Sequence, residues 1–321
     1  MAENILELKD IVVEYHTDAA VVHAVSGVSL NVIKGETLGL VGETGAGKTT
    51  IARSILRILP TPPAKFCGGQ ILFDGEDLTL KNENDMRKIR GNRIAMIFQD
   101  PMTALNPIET IGWQIAEAVS LHNDVKRADA EQRAMEMLEM VGIPMERFME
   151  YPHQFSGGMK QRVVIAMALA CNPELLLADE PTTALDVTIQ AQVLKMMQDL
   201  KDKLGMSVIL ITHDLGVVAS SCQSVAVIYA GEIVEYGTVG HIFRTPTHPY
   251  TNGLFGSLPR LKTTERRLKP IKGLMPDPTK IPIGCRYAER CPNAEPECSL
   301  SPPDIYEVAP GHQVRCALAG R

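Results

Sequence analysis

The chain has 321 residues, of which 45% are hydrophobic, and this is enough for two or three domains with full cores. Its formal net charge of −6 argues against a general nucleic-acid binder, because such proteins usually present a basic face. No apolar run approaches the ~18 residues of a membrane-spanning helix, and charged residues are spread over the N-terminal stretch. We therefore expect a folded cytoplasmic protein with neither a transmembrane helix nor a signal peptide.

The N-terminal residues 4–41 predict β-strands. Leu6 and Leu8 alternate with charged residues, and a second alternating stretch around Leu30 precedes a turn. Tyr15 comes at the end of the first predicted strand. Its ring could stack on an adenine base or could be an exposed tyrosine at a strand end, and its spacing favours neither interpretation.

Residues 38–50, LGLVGETGAGKTT, run from a short apolar strand through glycines into a helical pattern. This order fits the phosphate loop G-x-x-x-x-G-K-[ST], whose glycines let backbone N–H groups surround phosphates at the positive end of a helix. Lys48 would reach the β- and γ-phosphates, and the Thr49 hydroxyl would bind Mg²⁺. The predicted ATP-binding residues of the loop are Gly42, Glu43, Thr44, Gly45, Ala46, Gly47, Lys48, Thr49 and Thr50.

The segment after the loop mixes helices and strands. Its predicted elements are a helix ending near Pro60, a loop at 61–69, a strand at 70–73, a polar helix at 84–90 and a strand at 94–98. The last strand leads to Gln99. A carboxamide at a strand end can coordinate Mg²⁺ or orient water, although an isolated Gln is usually only a surface residue.

Helical spacing of apolar residues from about Ile108 to Gly142 predicts a helical insert. The segment QFSGGMKQR, residues 154–162, follows it. Ser156 is a good helix N-cap, and a helix that opens with Ser-Gly-Gly offers a second anion site. A capped core helix without a ligand is the alternative.

Two further buried strands are predicted to end in chemically active residues. The first leads to Asp179 and Glu180, where a carboxylate can hold Mg²⁺ through water and Glu180 can act as general base; a solvated turn is the alternative. The second leads to His213, which can hydrogen-bond a γ-phosphate. Gln99, Asp179, Glu180 and His213 should therefore lie at the carboxyl edge of the sheet, where open α/β sheets bind ligands.

The motifs GETGAGKT, Gln99, SGGMKQ, LLLADE, ALD and His213, in this order, resemble those of the ATP-binding subunits of ABC transporters over residues 4–240. The resemblance implies an ATPase in which Tyr15 stacks on adenine, Gln99 links Mg²⁺ to membrane subunits and His213 is the switch histidine. It implies the catalytic residues Lys48, Gln99, Glu180 and His213. It implies Mg²⁺ held through Thr49, Gln99 and Asp179.

The same resemblance implies a head-to-tail dimer, in which the signature of one subunit binds the γ-phosphate of the ATP on the other. The signature residues are Ser156, Gly157, Gly158 and Gln161, and Asp186 would lie across the interface. The implied fold is α/β, a P-loop ABC ATPase with a mixed β-sheet core, a helical subdomain and a small cysteine-rich C-terminal domain. The expected bounds are 1–98 with 173–240 for the nucleotide-binding core, 99–172 for the helical signature subdomain and 241–321 for the C-terminal extension.

Motifs in the C-terminal tail restrict the resemblance to one subfamily of these ATP-binding subunits. Residues 247–251 (THPYT), 273–278 (GLMPDP) and 284–285 (GC) are similar to the C-terminal extension of oligopeptide and dipeptide importer ATPases, which some nickel importers share. This implies a peripheral subunit at the cytoplasmic face of the membrane that hydrolyses ATP to energise peptide import. Its implied partners are a paralogous ATPase (or a second copy of this chain), two membrane permeases and an extracytoplasmic solute-binding protein, with no nucleic acid.

Cysteines are concentrated in the tail, at Cys285, Cys291, Cys298 and Cys316, whereas Cys67 and two others are expected to be small buried residues. A reducing cytoplasm disfavours disulfides. The gaps lack the C-x₂-C spacing of zinc knuckles, and peptide-importer relatives carry a 4Fe-4S cluster on such cysteines. The resemblance therefore favours a 4Fe-4S cluster, with Zn²⁺ or metal-free thiols as alternatives.

Three rival functions follow from the same features. A nickel or other small-solute importer is possible, because other subunits select the cargo. A soluble ABC ATPase acting on DNA or ribosomes usually has two fused cassettes or a long coiled coil, whereas this chain predicts one cassette, no heptad run and an acidic balance. A redox sensor with regulatory ATP would show ATPase activity that responds to cluster oxidation.

Overall fold

The computed structural model describes residues 3–123, 125–183, 185–256 and 270–319. Its strands are β1 (Asn4–His16), β2 (Val21–Ile33), β3 (Thr37–Val41), β4 (Ala64–Phe73), β5 (Glu76–Asp77), β6 (Ile94–Ile97), β7 (Leu175–Asp179), β8 (Ser207–Ile211), β9 (Ser224–Tyr229), β10 (Glu232–Thr238), β11 (Ile305–Ala309) and β12 (His312–Arg315). Its helices are α1 (Lys48–Ile55), α2 (Glu83–Ile89), α3 (Pro101–Ala104), α4 (Ile111–His122), α5 (Arg127–Met140), α6 (Gly157–Leu169), α7 (Val187–Leu204), α8 (Leu215–Ser221), α9 (Val239–Arg244) and α10 (Pro249–Gly256). Within these ranges, no helix is both long enough and apolar enough to cross a bilayer.

The described chain forms two compact units. The first unit holds Phe73–Thr212 with short pieces at 3–6 and Val32–Thr37, and the second holds Glu7–Asn31, Leu38–Leu72 and the described residues beyond 212. Ala184 of the ALD motif lies outside the described residues. The three expected domains, with bounds at 98, 172 and 240, stay a prediction.

The first unit is built on three parallel strands in the order β6-β7-β8, with Asp179 opposite Ile211 at one end. Both β7 and β8 are buried at every residue, as expected of parallel strands covered on both faces. The helices α4 and α5 form the predicted insert, and α6 follows it with the Ser-Gly-Gly segment at its start. A Cβ on Gly112 in α4 would lie 2.1 Å from the Phe148 ring, so only glycine fits there.

The second unit contains a mixed sheet in the order β3-β9-β10-β12-β11. Leu38 on β3 pairs in parallel with Ser224 on β9, whereas β10 and β12 join as antiparallel strands. Most of β1, β2 and β4 form another sheet in the order β2-β1-β4. The predicted α/β class with a mixed sheet is therefore confirmed, and the tail adds two strands to this unit instead of forming a separate one among the described residues.

Three local predictions are wrong. The helix α1 ends at Ile55 and not near Pro60, because Arg57 adopts a left-handed φ of +52° just beyond its end. The predicted loop at 61–69 contains the start of β4 at Ala64, which finds its hydrogen-bonding partner in β1, and such a partner is set by tertiary context. Cys67, expected to be buried, is exposed on this strand.

A buried carboxylate on β10 ties the THPYT segment to the sheet of the second unit. The Glu235 side chain accepts hydrogen bonds from the backbone N–H groups of Thr247 (2.8 Å) and His248 (3.0 Å), and His312 Nε2 lies 2.8 Å from it. The backbone N–H of Tyr250 donates to His248 Nδ1 (3.1 Å), so this nitrogen carries no proton. Burial lowers the pKa of His248 to about 3.

Protonation of His248 should make the fold sensitive to acid. Its folded pKa of about 3 lies below its usual value of 6.5, so its contribution is constant above pH ~6.5 and stability is lost as the pH falls toward 3. At pH ~5 we expect a loss of roughly 2 kcal/mol relative to pH ~7. In His248→Asn, whose side-chain oxygen can accept the same hydrogen bond, urea melts should show a shallower fall. Equal falls in both proteins would contradict this.

Candidate functional site

The predicted phosphate loop connects β3 to α1 under tight steric limits. A Cβ on Gly42 would lie 2.2 Å from the carbonyl oxygen of Ile228 on β9. Gly47 has a left-handed φ of +107°, and a Cβ on it would lie 2.5 Å from the carbonyl oxygen of Ala24. Only glycine suits both positions, because neighbouring backbone packs directly against the loop. The other predicted residues of the loop lie between these glycines or in the first turn of α1: Thr44, Gly45, Ala46 and Thr49.

Lys48 is the first residue of α1 and is nearly buried, at 7% exposure. Its ammonium donates to the carbonyl oxygens of Gly42 (2.8 Å) and Glu43 (2.9 Å), so the side chain folds back over the loop. The Tyr15 hydroxyl lies 3.2 Å from Thr50 Oγ1. The second unit therefore places the predicted adenine-stacking residue beside the helix that follows the phosphate loop.

The first unit brings Gln99 and Glu180 together, although 81 residues separate them. The Gln99 Nε2 donates to Glu180 Oε2 (3.2 Å), and the Thr183 hydroxyl, which no sequence pattern indicated, donates to the same oxygen (2.9 Å). Asp179, the last residue of β7, is buried. Glu180 has a left-handed φ of +49°, and its N–H donates to the Ile211 carbonyl oxygen (2.9 Å). Backbone strain of this kind costs about 1–3 kcal/mol and is concentrated at functional sites.

The signature residues lie at the start of α6, where Ser156 and Gly157 are exposed. Ser156 occupies the predicted N-cap position, although its side chain makes no capping hydrogen bond with the described residues. Ser156, Gly158 and Asp186 line one open depression of about 640 Å³. Asp186 also caps α7 by accepting a backbone hydrogen bond (3.0 Å). Gln161 is buried, and its Nε2 has no hydrogen-bond partner among the described residues.

His213 directly follows Thr212 after β8 and is exposed, at the strand end where the sequence predicts it. The next residue, Asp214, caps α8 by accepting hydrogen bonds from two backbone N–H groups (2.8 and 3.2 Å). The backbone around His213 is thereby held at the start of this helix.

Residues of the C-terminal region contact the phosphate loop, although no sequence pattern connected them with it. Arg290 Nη1 lies 3.1 Å from both carboxylate oxygens of Glu43 and 3.2 Å from the Tyr229 hydroxyl. The Glu43 N–H donates to the Tyr250 hydroxyl (3.0 Å). Burial raises the pKa of Tyr229 and of Tyr250, so both hydroxyls stay neutral. The THPYT motif marked Tyr250, but no local pattern could mark the Glu43–Arg290 pair, whose members are 247 residues apart.

The four tail cysteines are all free thiols. Cys298 and Cys316 are buried, and Cys285 and Cys291 are half-buried. The Cys285 N–H donates to the Cys298 carbonyl oxygen (2.7 Å), and a Cβ on Gly284 would lie 2.3 Å from that oxygen. Burial and the charges of the other three sulfurs raise the pKa of Cys285 to about 11. Among the described residues, no three of these four sulfurs lie within 4.8 Å of one another.

Comparisons with known proteins agree over nearly the whole chain. The family described as "ABC transporter" matches residues 25–183, and that described as "Oligopeptide/dipeptide transporter, C-terminal region" matches residues 234–298. The oligopeptide transport ATP-binding protein OppD of Bacillus subtilis (strain 168) is 50% identical over 98% of this chain and 88% of its own length. The dipeptide transport ATP-binding protein DppD of the same strain is 50% identical over 98% of this chain and 95% of its own length. A dimeric structure of the ATP-binding cassette MJ0796, in a post-hydrolysis state bound to ADP and Pi, has a TM-score of 0.65 and 27% identity over 73% of this chain and 98% of its own.

Substitution of the Glu43–Arg290 pair tests whether this pair supports ATP binding at the phosphate loop. In Arg290→Met the Glu43 carboxylate is left without its cation beside the predicted triphosphate, so ATP should bind roughly three- to tenfold more weakly, about 1 kcal/mol, in a fluorescent-nucleotide titration. The double variant Glu43→Gln/Arg290→Met should recover most of the affinity. Arg87→Met, which removes an exposed cation on α2, is the matched control. Unchanged affinity in Arg290→Met would contradict the role of the pair.

Proposed function

The chain belongs to the ABC transporter ATP-binding proteins whose C-terminal region is that of oligopeptide/dipeptide transporters, and from this premise we propose that it hydrolyses ATP to drive the import of oligopeptides or dipeptides across the cytoplasmic membrane. The observation that carries the proposal is the 50% identity, over 98% of the chain, to both an oligopeptide and a dipeptide transport ATP-binding protein. The geometry of the phosphate loop supports the ATPase part independently.

ATP with Mg²⁺ is the proposed substrate. The glycine loop and the positive end of α1 suit the β- and γ-phosphates, and the Tyr15 ring would stack on the adenine. Lys48 would exchange its hydrogen bonds with the loop carbonyls for bonds with phosphate oxygens. Thr49, Gln99 and Asp179 are the proposed Mg²⁺-holding residues, since hydroxyl, carboxamide and carboxylate oxygens are donors that this ion prefers.

Glu180 is the proposed general base. The hydrogen bonds from Gln99 and Thr183 hold its carboxylate in one orientation, in which it can take a proton from a water that attacks the γ-phosphate. The side-chain nitrogen of Gln99 donates to Glu180. The side-chain oxygen of Gln99 is therefore the atom proposed to face Mg²⁺. His213 would hydrogen-bond the γ-phosphate.

A second cassette would complete the site. Ser156, Gly157 and Gly158 are proposed to bind the γ-phosphate of ATP on the opposite subunit, with Gln161 inside the same helix and Asp186 across the interface. The exposure of Ser156 and Gly157 leaves them accessible to that subunit, and the dimeric MJ0796 structure bound to ADP and Pi supports dimer formation by analogy. The proposed partner is a similar but distinct ATPase, with a second copy of this chain as the alternative.

The proposed transporter also contains two integral-membrane permeases and an extracytoplasmic solute-binding protein. This chain would be its peripheral subunit at the cytoplasmic face of the membrane, and Gln99 would couple nucleotide binding to the permeases. The proposed domains are 1–98 with 173–240, 99–172, and 241–321.

The four tail cysteines are proposed to hold a 4Fe-4S cluster, with Zn²⁺ as the alternative. Four free thiols within residues 285–316, two of them buried, fit a four-thiolate site. A bound cluster would link the segment 285–298 to the end of β12 and so stabilise the tail.

Glu180→Gln tests the proposed general base. ATP turnover of the reconstituted transporter should fall about 10²–10⁴-fold, because the amide cannot accept the proton, while ATP binding is retained. Glu117→Gln, which changes an exposed carboxylate on α4, should keep full turnover. Full turnover in Glu180→Gln would mean that another group accepts the proton.

Purification without oxygen tests the proposed cluster. The protein should be brown, with a broad absorption band at about 400 nm and about four irons per chain, and Cys285→Ser should lose both iron and colour. Cys171→Ser removes a half-buried thiol of the first unit and should keep both. A colourless protein with about one zinc per chain would overturn the iron proposal in favour of zinc.

A further inference from the structure

A separate group of metal-ligating side chains lies on the sheet formed by β2, β1 and β4. Glu14 and His16 share one face of β1, because side chains two residues apart on a strand point the same way. β1 lies between its two neighbours, and these bring His23 (on β2) and Cys67 (on β4) to Glu14. We call Glu14, His16, His23 and Cys67 the Glu14 cluster.

The Glu14 carboxylate is the centre of this cluster. Its Oε2 lies 2.8 Å from His16 Nε2 and 3.4 Å from Cys67 Sγ, and its Oε1 lies 3.0 Å from His23 Nδ1. The ligand atoms of Glu14, His16 and Cys67 all lie within 4.8 Å of one another. Tetrahedral Zn²⁺ has bonds of about 2.0–2.3 Å and so holds its ligand atoms roughly 3.3–3.8 Å apart. Shifts of less than about 1 Å would therefore admit the ion.

The donor types select the ion. An imidazole nitrogen, a carboxylate oxygen and a thiolate sulfur together suit Zn²⁺, whereas Mg²⁺ and Ca²⁺ take oxygen ligands. The His16 side chain is 44% exposed, so an ion can enter from solvent. The hydrogen-bonded pairs that now join these residues are partly exposed, and such pairs contribute only about 0–1 kcal/mol. Little stability is therefore lost when an ion replaces them.

We infer that Glu14, His16 and Cys67 form an exchangeable Zn²⁺ site, with water as the fourth ligand. His23 is a positioning residue, because its hydrogen bond holds the second oxygen of the ligating carboxylate. The Cys67 thiol gives up its proton to solvent when it ligates the ion. The site is distinct from the four tail cysteines and does not depend on the proposed transport function.

Co²⁺ makes such a site visible, because a thiolate ligand gives a charge-transfer band and tetrahedral geometry gives strong visible bands. In a titration of the full chain, the wild type should bind one more Co²⁺ than Cys67→Ser, and the difference spectrum should show both features. His16→Ala should lose tight binding. His23→Ala should keep the bands with affinity reduced about 10–100-fold, as expected for a positioning residue. Cys171→Ser, the matched cysteine control, should behave as wild type.

The same titration with Cys285→Ser separates the Glu14 cluster from the tail cysteines, because the Cys67-dependent band should persist there. Zn²⁺ should displace the Co²⁺ and should raise the Tm of the wild type more than that of Cys67→Ser. Equal Co²⁺ content and equal spectra in wild type and Cys67→Ser would overturn the inference. A band that disappears in Cys285→Ser but remains in Cys67→Ser would overturn it as well.

Discussion

The close packing of the phosphate loop against neighbouring backbone is the constraint on which the candidate site depends. No side chain fits at Gly42 or Gly47, because the carbonyl oxygens of Ile228 and Ala24 occupy the space. The loop is therefore held by contacts within its own unit. This pre-organisation places Lys48 and the start of α1 where a phosphate can be bound without reorganising the backbone.

Charge around the loop is balanced by residues from distant parts of the chain. The Lys48 ammonium is bonded to loop carbonyls, and Arg290 compensates the Glu43 carboxylate. Without that guanidinium, Glu43 would repel the triphosphate that the loop is proposed to bind. Because Arg290 directly precedes Cys291, the segment that carries a proposed cluster ligand also anchors the phosphate loop. The Glu235 network secures Tyr250, which also contacts the loop, through the neighbouring residues Thr247 and His248.

In the first unit, tertiary contacts hold Glu180 in a backbone conformation that a residue with a side chain does not favour. A left-handed φ is unfavourable for a residue with a Cβ, but the bonds of Glu180 to Ile211, Gln99 and Thr183 maintain it. Ser156 presents a different case, since it is exposed and its side chain makes no capping hydrogen bond in the part of the chain that the structure describes. That arrangement suits a residue whose proposed ligand is bound to a second subunit.

Local order along the chain was enough to predict the strand, loop and helix around residues 38–50, the buried strands, and the polar residues that follow them. These features depend on periodicity and glycine placement, which are properties of neighbouring residues. The motif order also led to the family, which the comparisons confirm. Local order failed at the end of α1, at the start of β4 and at the exposure of Cys67. The pairing of Gln99 with Glu180, of Glu43 with Arg290 and of Glu14 with Cys67 was decided by the fold, because topology and packing join residues that no local pattern connects.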